Sequence, residues 1–417
     1  MVDEFKPLIR NSKFVLIWFS QILSQLTINI MNFLLLIRLF AITGSTIATS
    51  LLWVAYALPA ILIGPIAAAS VDMVDRRKML MISNLLQALA IFSYAFLHET
   101  RFFLLYGIAF TYSFLNQFYL PAESASIPSV VPKKHLAYAN GLFFLTQQGA
   151  LVLGFGVAGI LNHFLGFTNA LYFCSSFLFI AFISVSFLPK LKVEEELPSG
   201  LEEAIIRFFA RISEGYHFIK EKREVLLPFL LLIVIQVSTA MVVVNVPLLA
   251  TEILEISTNS IGTLIVVPAG IGAGLAGLII PKILRIGIRK KIVIEYSLMS
   301  LGFLLLTLGF IIPEIGRNLR VTLGALSAMA IGFSLVGILI PAQTFLQEAT
   351  PGGMRGRVFG NFWFLGTIAT IVPVIFSGTL TELLGVRSLF LILGAFSTVA
   401  LIFSKRYGQR MIQNEAI

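Results

Sequence analysis

The sequence predicts an all-α membrane protein with about twelve transmembrane helices, arranged as two six-helix bundles related by pseudo-symmetry. Three observations lead to this fold class: the composition, the spacing of apolar runs, and a repeat between the two halves. Of the 417 residues, 58% are hydrophobic and only 12% are charged, and the mean hydropathy is +0.93. Soluble domains carry about 25% charged residues. So few polar side chains could not cover a water-facing surface, so the expected solvent is lipid.

The apolar runs have the length that a bilayer demands. A helix needs about 20 apolar residues to cross the hydrocarbon core, and runs this long are read as helices because their backbone polar groups must be satisfied internally. The first run is too long for a signal-peptide core and lacks a small-residue cleavage site, so we expect it to be retained. The predicted spans are 14–40, 47–71, 79–97, 102–129, 136–161, 169–188, 225–250, 260–283, 292–312, 320–348, 358–383 and 388–404.

The placement of Lys and Arg predicts the orientation. An even number of spans puts both termini on one side, and with the termini inside most basic residues fall in cytoplasmic segments. The outer side then holds only Arg101, Arg317, Arg320 and Arg387, while Arg38 lies within the first span. By the positive-inside rule, we expect both termini in the cytoplasm of a multi-pass protein of the inner or plasma membrane.

The longest loop divides six spans from six. We therefore expect an N-terminal bundle at 1–190, a cytoplasmic linker at 191–224 and a C-terminal bundle at 225–417. Within the linker, one helical face is apolar and the other charged, which is typical of an amphipathic helix lying on the membrane surface. That face carries Leu201, Ile205, Phe208, Phe209, Ile212, Tyr216 and Ile219.

The two halves share sequence features in register. Gly159-Ile160-Leu161 with Leu165-Gly166 matches Gly378-Thr379-Leu380 with Leu384-Gly385. Gly64 and the basic cluster 76–78 match Gly277 and the cluster 289–291, and Pro121-Ala122 matches Pro341-Ala342. Three such matches inside equivalent spans indicate a parallel repeat of six helices.

Polar side chains follow single faces of otherwise apolar spans. In span one the spacing i, i+4, i+8, i+11 places four amides on one face: Gln21, Gln25, Asn29 and Asn32. Span four has a similar helical spacing with Tyr112, Asn116, Tyr119 and Glu123, and spans seven and ten offer Gln236, Asn245, Gln343 and Gln347. Because polar groups are costly in lipid, each face should point at a cavity or at another helix.

Several classes of function find no support in the sequence. The chain has no GxxxxGK[ST] phosphate loop, so it carries no ATP motor of its own. Cys174 is the only cysteine and the four histidines lie in or near loops, so we expect no disulfide, metal or cofactor. The net charge of +9 is dispersed as membrane topology requires and does not indicate nucleic-acid binding. No clustered nucleophile or acid–base pair points to an enzyme.

The chain resembles the major facilitator superfamily over essentially its whole length. The loop Asp72-Met73-Val74-Asp75-Arg76-Arg77-Lys78 resembles the signature after span two, an Asp before a basic cluster, with Ala68, Met73 and Asp75 departing from it. The drug-efflux and siderophore-export subgroup, which includes macrolide-efflux proteins and enterobactin exporters, is closer still. Its pattern resembles Asn11 to Trp18 with Gln21, Pro121-Ala122 with Ala139-Asn140, and Pro351 with Arg355-Gly356-Arg357.

The resemblance assigns roles to these residues. In the superfamily, spans one, four, seven and ten line a central cavity, so the amides and tyrosines of those four spans become substrate candidates. Asp72 becomes a conformational latch, together with Arg76, Arg77, Arg355 and Arg357, because a carboxylate there can face the positive N-terminal end of span eleven. Glu123 is the best-placed proton-coupling group, because it shares a face with the span-four tyrosines, and Asp72 is the second candidate for this role.

The expected activity is secondary active export of a lipophilic drug-like or siderophore-like compound by proton antiport. An alternative of the same fold is a lysophospholipid or lipid flippase, which an apolar cavity would also suit. The expected partners are a small lipophilic substrate, protons and membrane lipid, with no nucleic acid, and we expect a monomer. In span five, Gly149, Gly154, Gly156 and Gly159 resemble an exporter-associated glycine motif, with Phe155 where that motif has Pro, and are expected mainly to pack helices.

Overall fold

The computed structural model describes residues 7–64, 66–67, 74–97, 103–132, 135–190 and 201–407. Within these ranges the regular elements are helices and no strand occurs. The long helices are α1 Ser12–Thr43, α2 Thr46–Leu62, α3 Arg76–Leu97, α4 Leu104–Val130, α5 Leu136–Ser186, α6 Leu201–Glu221, α7 Arg223–Leu248, α8 Val267–Arg285, α9 Lys290–Phe310, α10 Arg317–Ala349, α11 Gly352–Leu384 and α12 Val386–Tyr407.

The helices account for the apolar runs of the sequence. Among the described residues, eight helices are long and apolar enough to cross a membrane. Two shorter apolar helices, Thr46–Leu62 and Val386–Ile402, lie where the second and twelfth spans were predicted. The predicted spans five and six both lie in α5, whose two helical segments meet at a kink. The sequence therefore located these two apolar helices correctly, and the kink falls between the bounds predicted for them.

That kink lies at Gly166, where the backbone has φ 75° and ψ 166°. Gly385 directly follows α11 with nearly the same angles, φ 78° and ψ 160°. A positive φ is readily adopted only by glycine, which explains why a residue without a Cβ stands at both positions. The sequence repeat aligns these two glycines, so the repeat extends to local backbone conformation.

The chain divides into two compact units. Unit 1 comprises 1–42 and 51–210, and unit 2 comprises 43–50 and 211–417. The division falls inside the predicted linker. The segment Thr43–Ser50, which contains the first turn of α2, belongs to unit 2.

In unit 1, helix α1 buries apolar side chains near both of its ends and polar side chains between them. Helix α3 packs against both α4 and α5. Phe14 of α1 and Phe143 of α5 have ring centroids 5.9 Å apart and are buried in a cluster that also contains Tyr119 of α4. This cluster fixes the α1–α4–α5 contact at the end of the unit where α1 begins.

Unit 2 is built from several helix contacts. Helix α8 packs against α10, α9 packs against both α10 and α12, and α7 packs against α11. Val225 and Phe229 of α7 are buried with Val358 and Phe362 of α11, and Leu346 of α10 closes the same cluster. The segment 43–50 joins this unit through Thr46, whose hydroxyl contacts the Gly378 carbonyl and the Thr381 hydroxyl, each at 2.9 Å.

The linker helix α6 differs from the prediction. Its second half does not present the whole apolar face to the surroundings, because Ile219 is buried against α7 and α11. Gly215 permits this approach, since a Cβ there would overlap the Asn361 side chain and lie 2.8 Å from the Arg357 carbonyl. Phe209 and Tyr216 remain exposed. Part of the apolar face of α6 is therefore buried against other helices, and part of it is exposed.

Candidate functional site

The polar face predicted for α1 is enclosed within unit 1. Gln21 is 2% exposed, Gln25 9% and Asn29 8%, while Asn32 is half-buried. The Gln21 amide donates to the Phe143 carbonyl of α5 at 3.1 Å. The Asn29 amide donates to the Gln25 carbonyl one turn earlier. Gln21 thus contributes to helix packing, and Asn29 is held by its own helix.

A buried hydrogen-bond chain runs through unit 1 and ends on Glu123. The Tyr119 hydroxyl donates to the Glu123 carboxylate at 2.9 Å, and Ser20 of α1 lies 3.4 Å from that hydroxyl. The Asn84 amide of α3 donates to the Ser20 hydroxyl at 3.1 Å. All four residues are at most 6% exposed. Three helices therefore meet at one carboxyl group, which lies on the predicted face of α4.

The remaining predicted residues of α4 contact other helices. Tyr112 is fully buried, and Asn116 lies within hydrogen-bonding reach of the Tyr56 hydroxyl on α2. Ser113 donates to the Tyr56 carbonyl at 2.6 Å. Because α4 places Tyr112, Asn116, Tyr119 and Glu123 at intervals of three or four residues, one face of the helix carries all of them.

Helix α5 closes this region through Gly154. A Cβ on Gly154 would lie 2.6 Å from the Cβ of Asn29 and 3.2 Å from the backbone nitrogen of Ile30. The α1 and α5 backbones are therefore close where the α1 amides lie. A Cβ on Gly149 would meet open space, so close packing is a property of Gly154 and not of every glycine of the motif.

In unit 2 the predicted cavity residues occupy different settings. Asn245 is fully buried, donates to the Ser377 hydroxyl at 3.0 Å and accepts from the Thr381 hydroxyl at 2.7 Å. Its side chain therefore presents no open face in this structure, which departs from the prediction. Gln236 is half-buried against Gly366, whose added Cβ would lie 2.7 Å from the Gln236 Oε1.

The α10 amides lie further along their helix. Gln343 is half-buried and Gln347 is exposed. The Gln347 carbonyl accepts a hydrogen bond from Arg355 at 3.1 Å. Gln347 therefore lies at the end of α10 beside the turn into α11, and not on an enclosed face.

The predicted latch residues have partners inside their own units. Arg76 donates to the Ala125 carbonyl and the Ser129 hydroxyl at the end of α4, and Arg77 donates to the Ser186 carbonyl at the end of α5. These carbonyls belong to helix C-terminal turns, where a cation is favoured. Each arginine thus ties two helix ends of unit 1 together.

In unit 2, Arg355 also donates to the Thr350 carbonyl, at 3.2 Å. Arg357 pairs with Glu214 of the linker helix at 2.6 Å. The carboxylate found beside Arg357 is therefore Glu214, which the sequence interpretation did not identify. Asp72 lies outside the described residues, so its pairing with these arginines stays a prediction.

Carboxylates elsewhere in the described spans have partners of other kinds. Glu348 pairs with Lys290, and Glu295 lies 3.5 Å from Lys291. Glu382 accepts from the Ser45 hydroxyl and from the backbone N–H of Ile47, which is in the first turn of α2. Glu123 differs from these three because it is buried, whereas Glu348 and Glu382 are exposed and Glu295 is half-buried. Within the described ranges, no group of three or more His, Cys, Asp or Glu side chains could hold a metal ion.

The sequence interpretation missed three polar residues of unit 1: Ser20, Asn84 and Gln87. Asn84 and Gln87 are amides three residues apart in an apolar helix, and both are 0% exposed. The spacing that identified the α1 and α4 faces would have identified them too. Ser20 carried no such signal, because a serine in a span usually bonds to its own helix.

Long apolar helices with enclosed polar faces define this chain as a multi-helix membrane protein. Its residues 17–373 match the Major Facilitator Superfamily. The chain belongs to that superfamily of transporters.

Relatives with this architecture cover nearly the whole chain. An uncharacterized MFS-type transporter of Bacillus subtilis, YfiS, is 26% identical over 93% of this chain and 92% of its own length. Macrolide efflux protein A of Streptococcus pyogenes is 26% identical, with 92% of each chain covered. The multidrug efflux pump Tap of Mycolicibacterium fortuitum is 25% identical, with 84% of each covered.

Solved structures show the same fold at lower identity. The nucleoside transporter NupG matches with a TM-score of 0.71 and 15% identity, covering 94% of this chain and 99% of its own. The human organic anion transporter MFSD10 matches with a TM-score of 0.64 and 15% identity, covering 94% and 98%. At these identities the likeness concerns the fold alone.

Proposed function

We propose that this chain is a secondary active transporter of twelve membrane spans that exports a lipophilic drug-like or siderophore-like compound by proton antiport. The observation that carries the proposal is the setting of Glu123. It is 5% exposed, lies at the end of a chain of neutral hydrogen-bonding groups, and shares unit 1 with the α1 amides. A carboxyl group enclosed in this way is suited to gain and lose a proton during transport.

The export direction rests on the relatives. Macrolide efflux protein A and the Tap efflux pump each align with most of the chain, and both are efflux proteins by name. Candidate faces of amides and tyrosines, in a chain with 37 Phe, favour a bulky, mostly apolar substrate, with the amides supplying orientation and not charge.

Proton antiport supplies the energy for export of the substrate. Each proton that enters down the membrane potential contributes about 2.3 kcal/mol per 100 mV. An antiporter needs one group that alternates its protonation as access changes sides. Glu348 is a weaker choice for that group, because it is exposed and paired with Lys290.

The proposed setting follows from the charges. We expect the chain to act as a monomer in the inner or plasma membrane. Both termini lie in the cytoplasm, since the basic residues cluster in the segments that this orientation places inside. Reporter fusions at Lys190 and at the C-terminus should report cytoplasm, and a fusion after Glu314 should report the outer side. A single inverted fusion would mean a miscounted span.

The test of coupling is substrate uptake into inside-out vesicles with an imposed proton gradient. We expect a protonophore to abolish transport by the wild type, and Glu123→Gln to lose gradient-driven transport. Glu348→Gln is the matched control, a carboxylate of the opposite half, and should stay gradient-driven. If Glu123→Gln remains fully driven by the gradient, the coupling group lies elsewhere.

The second candidate, a lysophospholipid or lipid flippase, is an outcome of the same experiment. If wild-type transport ignores the proton gradient, antiport is wrong. Translocation of a labelled phospholipid in proteoliposomes would then support the flippase.

A further inference from the structure

The hydrogen-bond chain that ends on Glu123 begins with an amide that has an unused oxygen. Asn84 is 0% exposed and its Nδ2 donates to Ser20. Its Oδ1 is buried and has no hydrogen-bond partner in the part of the chain that the structure describes. Leaving a buried acceptor unpaired costs about 1–3 kcal/mol. A buried amide oxygen that stays unpaired despite this cost requires an explanation, and a functional role is one.

With Tyr119 donating to Glu123 the chain has one direction, because a tyrosine hydroxyl carries a single proton and must then accept from Ser20. Asn84 donates to the Ser20 hydroxyl, Ser20 lies in position to donate to the Tyr119 hydroxyl, and Tyr119 donates to the carboxylate. Every donor therefore points towards Glu123, which is the arrangement that suits an ionised carboxylate. Successive hydrogen bonds in one direction also polarise and strengthen one another.

Protonation of Glu123 changes what the chain must do. A carboxylic acid carries one O–H donor, and it can donate to the Tyr119 oxygen once Tyr119 turns its own proton away. Tyr119 then donates to Ser20, and Ser20 needs an acceptor at its other side. A half-turn of the Asn84 amide supplies one, because Oδ1 then stands where Nδ2 stood. One proton is taken up at Glu123, and otherwise only the hydroxyl protons and the Asn84 amide rotate.

We propose that Asn84 and Ser20 are positioning residues whose hydrogen bonds change when Glu123 is protonated. The hydrogen-bond chain then reverses direction and ends on the Asn84 oxygen that has no partner within the described ranges in the present state. An amide suits this position because it offers a donor and an acceptor at nearly equal distance. The reversal links α3 and α1 to the proton on α4. For its role in transport this inference rests on the proposed proton coupling.

The other titratable and charged groups around Glu123 are few. Helix α4 itself contributes Tyr112 and Tyr119, and α2 contributes Tyr56. From α3, Arg76 reaches the same helix one turn beyond, where it donates to the Ala125 carbonyl at 2.8 Å. Helix α1 contributes the neutral Ser20. The reversal therefore involves only neutral donors and acceptors besides the one carboxyl group.

The chain offers a matched control in Gln87. It lies three residues beyond Asn84 on α3, is also 0% exposed, and also has a side-chain oxygen without a partner among the described residues. Its Nε2 donates to the Tyr112 carbonyl at 3.5 Å and has no part in the chain to Glu123. Asn84→Leu and Gln87→Leu thus make the same kind of change one turn apart.

The test is infrared difference spectroscopy of the full-length purified protein in liposomes during a pH titration. The carbonyl stretch of protonated Glu123 is identified as the band that Glu123→Gln removes. We expect this band to shift in Asn84→Leu and in Ser20→Ala and to keep its position in Gln87→Leu. Ser20→Ala removes a single oxygen, so it preserves the test if Asn84→Leu does not fold.

Three results would overturn the inference. The band could keep its position in both chain variants, it could shift equally in Gln87→Leu, or Glu123→Gln could remove no band. Because the measurement needs no transport, the expected shifts would support the inference even if transport by the wild type ignored the proton gradient. In that case the proposal of proton antiport would be wrong, while the inference about Asn84 and Ser20 would stand. Where antiport holds, proton-driven uptake should fall about tenfold in Asn84→Leu, the effect of losing one buried hydrogen bond.

Discussion

Gly272 of α8 and Gly332 of α10 lie in the same helix crossing, each against the backbone of the other helix. A Cβ on Gly272 would overlap the Met329 carbonyl oxygen, and a Cβ on Gly332 would overlap that of Ala269. The crossing therefore admits no side chain from either direction. Small residues allow this kind of close backbone approach between membrane helices.

This crossing gives a prediction about stability. Gly272→Ala and Gly332→Ala should each destabilise the protein by about 1–3 kcal/mol, because the backbones must separate to admit a methyl group. Gly274→Ala is the control, since a Cβ there would meet open space. That variant should be neutral or stabilising by up to about 1 kcal/mol. Thermal unfolding of the purified variants in detergent measures these changes in stability. Equal melting temperatures for Gly272→Ala and Gly274→Ala would contradict the prediction.

The linker helix provides a second prediction, in which burial decides which contact matters. Asn361 is fully buried and donates to the Ile212 carbonyl of α6 and to the Arg357 carbonyl, both at 2.9 Å. Asn361→Leu leaves those carbonyls without this donor and should loosen α6 by about 1–3 kcal/mol. Glu214→Gln removes a pair whose side chains are 52% and 39% exposed, and it should cost at most about 1 kcal/mol.

Limited proteolysis within α6 measures this difference. We expect faster cleavage in Asn361→Leu and a rate close to wild type in Glu214→Gln. If Glu214→Gln were cleaved as fast as Asn361→Leu, the exposed ion pair and not the buried amide would hold the linker helix.

The latch at Asp72 is a third prediction, and the structure supplies its control. Asp72→Asn keeps the volume and removes the charge that would face the N-terminal end of α11. An interaction of this kind contributes up to about 2 kcal/mol, or roughly a thirtyfold shift between two states. We expect slower transport, near-normal expression and more of the inward-facing state.

Asp75→Asn is the matched control in the same loop. The Asp75 carboxylate accepts from the backbone N–H of Arg77 at 3.0 Å, and asparagine caps a helix N-terminus about as well. Labelling of introduced cysteines reports the conformation, and the natural Cys174 is buried and should not react. Unchanged transport and labelling in Asp72→Asn would reduce Asp72 to a topology charge.

The sequence predicted the helices well because lipid leaves few choices. Apolar runs of membrane-spanning length must be helical, so α1 and α9 begin and end within a few residues of their predicted bounds. The break at Gly166 was also anticipated, because it falls between the predicted spans 136–161 and 169–188. What the sequence did not show is that a single glycine with positive φ redirects the chain there.

The candidate site was predictable only in part, since helical spacing shows which side chains share a face but not what that face meets. Spacing correctly grouped Tyr119 with Glu123. It could not show that Ser20 and Asn84 approach them, because those contacts depend on how α1 and α3 pack against α4. The same limit applies to Asn245, whose amide spacing resembles that of Asn29 although its partners are the hydroxyls of α11.

Asn29 and Asn245 therefore give the last prediction, a contrast between two buried asparagines. Asn29 hydrogen-bonds within its own helix, to Gln25, and the part of it that packs against Gly154 is the Cβ. Asn29→Ala keeps that Cβ, so folding should change little while the substrate profile changes. Asn245→Ala removes one hydrogen-bond partner from each of Ser377 and Thr381. It should destabilise the protein by about 1–3 kcal/mol and reduce transport of all substrates alike.

An efflux assay over a panel of lipophilic dyes, normalised to the amount of folded protein, separates the two effects. After normalisation, Asn245→Ala should match wild type for every dye, because only the quantity of protein has changed. Asn29→Ala should still differ from dye to dye, because the amide would contact the substrate directly. If Asn29→Ala instead lowers every dye in proportion to expression, its amide serves packing and the α1 face does not contact substrate.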